Sequence, residues 1–107
     1  MAGVRVGRWM NRAEFEAMLR TGRVQNSRSG DQTSVTRPPD PASWSAAAPG
    51  SLFVTFSVPE ESLRPGGVEG WALIVGPNSL YGRLAAFRNE SIPELPRATD
   101  ILEVDRR

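Results

Sequence analysis

Cysteine, histidine and lysine are all absent from this chain of 107 residues, and each of its 13 basic side chains is an arginine. Without histidine there is no imidazole general base; without cysteine there is no thiolate nucleophile; without lysine there is no Schiff-base amine. The usual zinc ligands go with them. Any chemistry must be run by carboxylates, hydroxyls, guanidinium groups and backbone amides. The absence of cysteine also excludes disulfides, so stability must come from packing alone, a composition compatible with the cytosol. Long hydrophobic runs are missing too. None approaches the roughly 18 residues that span a bilayer, and the N-terminus has no signal-peptide apolar stretch.

What is present fits one globular α+β domain over residues 1–107. Hydrophobic residues make up 39% and charged ones 23%, while nine prolines and ten glycines imply short elements joined by many loops. The net charge of +1 conceals an asymmetry. Residues 1–37 carry seven arginines against three carboxylates, and residues 38–107 carry six against nine. The arginines of the basic part are scattered, which reads as a solvated surface and not as a nucleic-acid stripe.

Alternation in Val4-Arg5-Val6-Gly7-Arg8-Trp9 predicts a first strand. Asn11 followed three residues later by Glu14 has the form of a capping box, so a helix should begin there. Phe15, Met18 and Leu19 would form its apolar face, and Thr21-Gly22 its end. Residues 25–32 are polar and read as a loop with freedom to move. Thr33 to Thr36 is a short β-prone segment that stops at Pro38-Pro39. Asp40 and Pro41 should start a short helix running through Trp44 to Ala48. Ser51 to Val58 is the best strand, with Leu52, Val54, Phe56 and Val58 on one face and Phe53, Thr55 and Ser57 on the other. A turn at Arg64-Pro65-Gly66-Gly67 precedes a buried strand from Trp71 to Val75. Gly76 to Ser79 breaks that strand, and a hairpin partner is expected around Arg83 to Phe87. A last strand is expected over Ala98 to Val104. One clear helix among five or six short strands suggests small twisted sheets.

Four features carry candidate chemistry. Glu94 lies in Ser91-Ile92-Pro93-Glu94-Leu95-Pro96, where two prolines stiffen the backbone and suit the carboxylate to a fixed electrostatic task. One such task is stabilising positive charge on a sugar C1 as a glycosidic bond breaks. Arg8 beside Trp9 could bind a phosphate or carboxylate while the indole packs. The hydroxyls of Thr33 to Thr36 could orient a ribose. The turn Gly76-Pro77-Asn78-Ser79 offers backbone N–H groups, an amide and a hydroxyl to a polar ligand. Each also has a bland reading, as loop carboxylate, core packing, edge strand or hairpin turn. No phosphate-binding P-loop or glycine-rich dinucleotide fingerprint is present.

Taken in order, these segments resemble a known family. Arg8-Trp9-Met10-Asn11, Glu14-Phe15 and Thr21-Gly22-Arg23-Val24 are similar to the start of TreTu, a C-terminal toxin domain of bacterial Rhs polymorphic toxins. So are Pro49 to Val54 with Phe56 and Val58-Pro59, Gly70-Trp71-Ala72, Gly76 to Ser79 with Gly82 to Ala86, and Ile92 to Pro96 with Ala98-Thr99. The resemblance is weakest over residues 25–48. It implies a small split β-sandwich of the ADP-ribosyltransferase type with one clear N-terminal helix, and transfer of ADP-ribose from NAD, as co-substrate and without a metal, to elongation factor Tu. By position it implies Arg8, Thr33, Thr36, Asn78 and Ser79 at NAD and Glu94 as the catalytic carboxylate. Ile92 stands where arginine-modifying transferases carry Glu or Gln, which argues against arginine as the acceptor. The resemblance also implies a cognate immunity protein and delivery into a target-cell cytoplasm by a secretion system such as type VI. A ribonuclease-type toxin and a non-catalytic binding module are the alternatives; missing histidine and lysine make proton transfer hard to staff in the first.

Overall fold

The computed structural model describes residues 3–26, 33–77 and 79–107. Six strands form one open antiparallel sheet, and two helices complete an α+β fold. The strands are β1 (Val4–Met10), β2 (Thr33–Thr36), β3 (Leu52–Val58), β4 (Leu63–Pro65), β5 (Trp71–Ile74) and β6 (Thr99–Arg106). Their order across the sheet is β4-β5-β2-β1-β3-β6. β1 and β3 pair along their full length, from Val4 opposite Val58 to Met10 opposite Leu52. β2 and β5 pair from Thr33 opposite Ile74 to Thr36 opposite Trp71. Between these two halves the register holds a single pair, Gly7 with Thr36.

The alternation of β3 sets where the core lies. Leu52, Val54, Phe56 and Val58 join Val6, Met10 and Val35 in the core on one face. The opposite face is also buried, by different means. Trp9 lies 5.3 Å from Phe53, ring centroid to centroid, at 58°. Arg5 donates hydrogen bonds to the hydroxyls of Ser57 at 3.1 Å and Thr55 at 2.5 Å. A strand buried on both faces with polar groups on one needs such partners, because an unpaired buried hydroxyl is costly.

Helix α1 (Arg12–Thr21) begins and ends where the sequence indicates. The Asn11 side chain accepts from the Glu14 N–H at 2.7 Å, and Gly22, at φ 69°, donates its N–H to the Met18 carbonyl. Met18 is buried and Phe15 packs on the core, whereas Leu19 is 54% exposed and falls outside the expected apolar face. Only half of the capping box forms, because the Glu14 carboxylate is taken by Arg8.

Three expectations are corrected. The segment around Arg83 to Phe87 is no hairpin strand but part of a second helix, α2 (Leu80–Phe87), capped by Ser79, whose hydroxyl accepts from the Gly82 N–H. After Asp40, which accepts from the Ala42 N–H as foreseen, the helix stops after one 3-10 turn, Pro41–Ser43, and does not reach Ala48. Trp44 leaves that turn to meet Trp71 edge-on, with centroids 6.3 Å apart. The segment Leu63–Pro65, read in part as a turn, is strand β4 and pairs with β5. The expected mobile loop at 25–32 lies mostly outside the described residues.

Candidate functional site

A concavity of about 510 Å³ sits on the sheet face opposite α1, over the junction of the two halves. That volume lies within the range of small-ligand sites, which are ~300–1,000 Å³. Its floor is made by Gly7 and Trp9 of β1, Ser34 and Thr36 of β2, Phe53 of β3 and Trp71 of β5. Ser43, Trp44 and Val68 rise beside it from the flanking loops. All three tryptophans of the chain line this one cleft. Gly7 is required at the junction: a Cβ there would stand 2.3 Å from the Phe53 ring and 3.1 Å from Pro39.

Arg8 stands where β1 and β2 part. Its alternation places the side chain with Val6 and Met10, toward α1, and there the Glu14 carboxylate meets it at 2.7 Å and 3.3 Å. Nη1 donates to the Ser34 carbonyl at 2.9 Å, so the guanidinium bridges the gap that the strands leave open. The side chains of Arg8 and Glu14 are 14% and 8% exposed, so the pair is largely withdrawn from water. Arg8 is the one charged residue among those that line the cleft. The cleft thus combines stacking surfaces for planar rings with two hydroxyl-bearing residues on β2, while the Arg8 guanidinium, paired with Glu14 on the α1 side, borders it at the gap between β1 and β2.

The residues singled out from sequence divide as follows. Arg8 and Thr36 line the cleft, with the Thr36 hydroxyl donating to the Gly7 carbonyl and accepting from the Asp40 N–H. Thr33 is buried on the other face of β2, where its hydroxyl donates to the Gln25 carbonyl at 2.7 Å. Ser79 is buried as the α2 cap; its hydroxyl donates to the Gly76 carbonyl and does not line the cleft. Asn78 lies outside the described residues. Glu94 is 85% exposed on its side chain, 3.8 Å from Arg23, and is not among the cleft residues. Nor is any other carboxylate. Among the described residues no three carboxylates gather as metal ligands do.

Ser34 belongs to the hydroxyl strand Thr33 to Thr36 singled out from sequence, whereas Trp44 and Trp71 as site residues, and Glu14 as the partner of Arg8, were overlooked. The available signal was the three tryptophans in so small a chain; the sheet topology that collects them was not readable locally. In comparisons with known proteins, residues 3–102 match the family model described as TreTu toxin, C-terminal domain. Comparison with curated proteins gave no match.

Proposed function

Since the chain belongs to the TreTu toxin C-terminal domain family, we propose that it is a toxin that acts as an NAD-dependent mono-ADP-ribosyltransferase on a protein of the translation machinery, elongation factor Tu. The observation that carries this reading is the tryptophan-lined cleft with Arg8 at the parting of the two half-sheets. A dinucleotide asks for ring-stacking walls, a cation for its pyrophosphate and hydroxyl-bearing residues for its riboses; the cleft supplies the first and the last, and Arg8, at the gap between β1 and β2, is assigned the second. The junction, where two three-stranded halves of the one open sheet meet at a single residue pair, is compatible with the split β-sandwich that the family resemblance implies.

In this reading Arg8 holds the pyrophosphate, fixed in place by Glu14 and the Ser34 carbonyl. The indoles of Trp9, Trp44 and Trp71 receive the planar rings. Loss of nicotinamide leaves an oxocarbenium-like ribose, which a carboxylate stabilises; the family resemblance assigns this task to Glu94, which lies outside the cleft on a backbone stiffened by Pro93 and Pro96. Bond breaking of this kind asks for no histidine, lysine or thiol, which suits a chain that has none. The reading extends to the parent protein: an immunity protein guards the producing cell, and a secretion system delivers the toxin into the target cytoplasm.

The test is to incubate the chain with labelled NAD and a bacterial lysate, beside Glu94→Gln and Arg8→Ala, and to analyse the products by gel and mass spectrometry. A labelled band at the mass of elongation factor Tu is expected, absent with Glu94→Gln, since loss of one such electrostatic group costs about 10²–10³ in rate. Labelling that persists undiminished with Glu94→Gln removes Glu94 from catalysis. A folded wild type that neither binds NAD nor labels any protein removes the transferase. The exposure of Glu94, outside the cleft, favours a second reading as a non-catalytic binding module. That reading requires the second outcome.

A further inference from the structure

Helix α2 is packed the wrong way round for an ordinary surface helix. Its seat against the body of the protein is a glycine: Gly82 is its one buried residue, and a Cβ there would stand 2.1 Å from the Gly76 carbonyl oxygen. Its large apolar residues point outward. Leu80, Leu84 and Phe87 follow one another at i, i+4 and i+7, all exposed, and Phe87 is 89% exposed. An amphipathic helix normally turns such a stripe to the core. A helix that turns it to solvent has the spacing by which helices lie in the groove of another protein. Ile92, exposed on the segment that follows, adds a further apolar residue beyond the helix.

The charge around this stripe narrows the partner. Between Glu69 and Glu90 the sequence has no acidic residue, and its two charges, Arg83 and Arg88, are both exposed on or beside α2. Arg64 adds a third cation, its guanidinium 5.1 Å from the ring centroid of Tyr81 on the same helix. Among the described residues no carboxylate pairs with Arg64, Arg83 or Arg88. We propose that α2 is a docking helix for a protein of the target cell, one that presents an apolar groove edged with carboxylates. A second copy of the chain fits less well, since it would bring these arginines against their equals. The proposal rests on membership of a toxin family and not on the transferase chemistry.

Two double variants of the whole chain test it: Leu84→Asp with Phe87→Asp, and Arg83→Glu with Arg88→Glu. The changed side chains are exposed and outside the cleft, so both variants should keep the wild-type circular dichroism and melting temperature. Both should also keep any hydrolysis of NAD in the absence of acceptor, yet lose growth inhibition at least 100-fold when expressed in a bacterial host. Growth inhibition equal to wild type in both variants overturns the proposal. Sedimentation of the wild type with phosphatidylglycerol vesicles, lost in both variants, gives the helix to a membrane surface and also overturns it. So does a wild-type dimer, seen by light scattering, that the aspartate variant splits. A wild type that inhibits growth but hydrolyses no NAD removes the catalytic reading alone; the docking face is then judged by growth inhibition in the folded variants.

Discussion

Arg8 and Glu14 are each held by the other in a place nearly closed to solvent. Removing one partner strands a buried charge, whereas removing both replaces a desolvated pair by apolar packing. Glu14→Leu and Arg8→Met should therefore each lower stability by about 3 kcal/mol, while Arg8→Met with Glu14→Leu should lose far less than the two single losses together. Urea unfolding of the four proteins measures this, and simple additivity would refute the coupling. If Arg8 also grips NAD, the stable double variant should still fail to bind it. Binding and stability then part company, which a purely structural pair would not produce. The same reasoning marks Glu14 as a positioning residue, since it touches the cleft only through Arg8.

Among the elements, α2 depends on two small residues at its start. The Ser79 hydroxyl accepts from the Gly82 N–H at 3.1 Å and donates to the Gly76 carbonyl at 2.8 Å. Ser79→Ala should cost about 1–2 kcal/mol, as loss of a helix cap does. Gly82→Ala sets two effects against each other. Alanine improves helix propensity by about 1 kcal/mol, but its methyl group would meet the backbone carbonyls of Gly76 and Pro77 at 2.1 and 2.7 Å. Backbone cannot step aside as a side-chain tip can, so the clash should win, with a net loss of about 1–3 kcal/mol in thermal or urea unfolding. A stabilised Gly82→Ala would show that α2 is not seated as described. β6 meets a different demand at the sheet edge. Its pairing with β3 is interrupted by two register shifts and it carries Asp100, Glu103, Asp105 and Arg106. Bulges and charges of this kind discourage edge-to-edge association.

For the molecule as a whole, the cleft depends on distant parts of the chain meeting. The segment 41–48 that flanks it is anchored at one end by Trp9, whose indole N–H donates to the Pro41 carbonyl at 2.9 Å. Midway along it Arg107 donates to the carbonyls of Ser45 at 2.6 Å and Trp44 at 3.1 Å. Its guanidinium also lies 4.8 Å from the ring centroid of Trp9. Arg107 is exposed, so Arg107→Ala should cost little stability, within about 1 kcal/mol. It should nevertheless loosen Trp44 beside the cleft and weaken NAD binding about fivefold, or ~1 kcal/mol. Because Trp9, Trp44 and Trp71 all line the cleft, titration with NAD should change intrinsic fluorescence, which provides the measurement. Unchanged affinity would free the 41–48 segment from any part in binding.

Much of this was determined by sequence because it is local. Asn11 and Gly22 bound α1 through hydrogen bonds that span three or four residues, and the alternation of β3 separates its two faces without reference to the rest of the chain. The absence of histidine, cysteine and lysine limited the chemistry before any fold was known. The ordered motifs also indicated the family to which residues 3–102 belong. Only tertiary structure could decide the remainder. The run Leu84-Ala85-Ala86-Phe87 is apolar enough for a strand or a helix, and Ser79 together with the close approach of Gly82 to Gly76 settles it. Thr33 and Thr36 look alike in sequence, yet strand register sends one to the core side and the other to the cleft. Trp9, Trp44 and Trp71 are far apart along the chain, and Glu14 reads as a helix cap until Arg8 claims its carboxylate. Local hydrogen bonds and side-chain periodicity are written residue by residue. Which distant groups share a cleft is set by strand order, which the sheet acquires only when its two halves meet at Gly7 and Thr36.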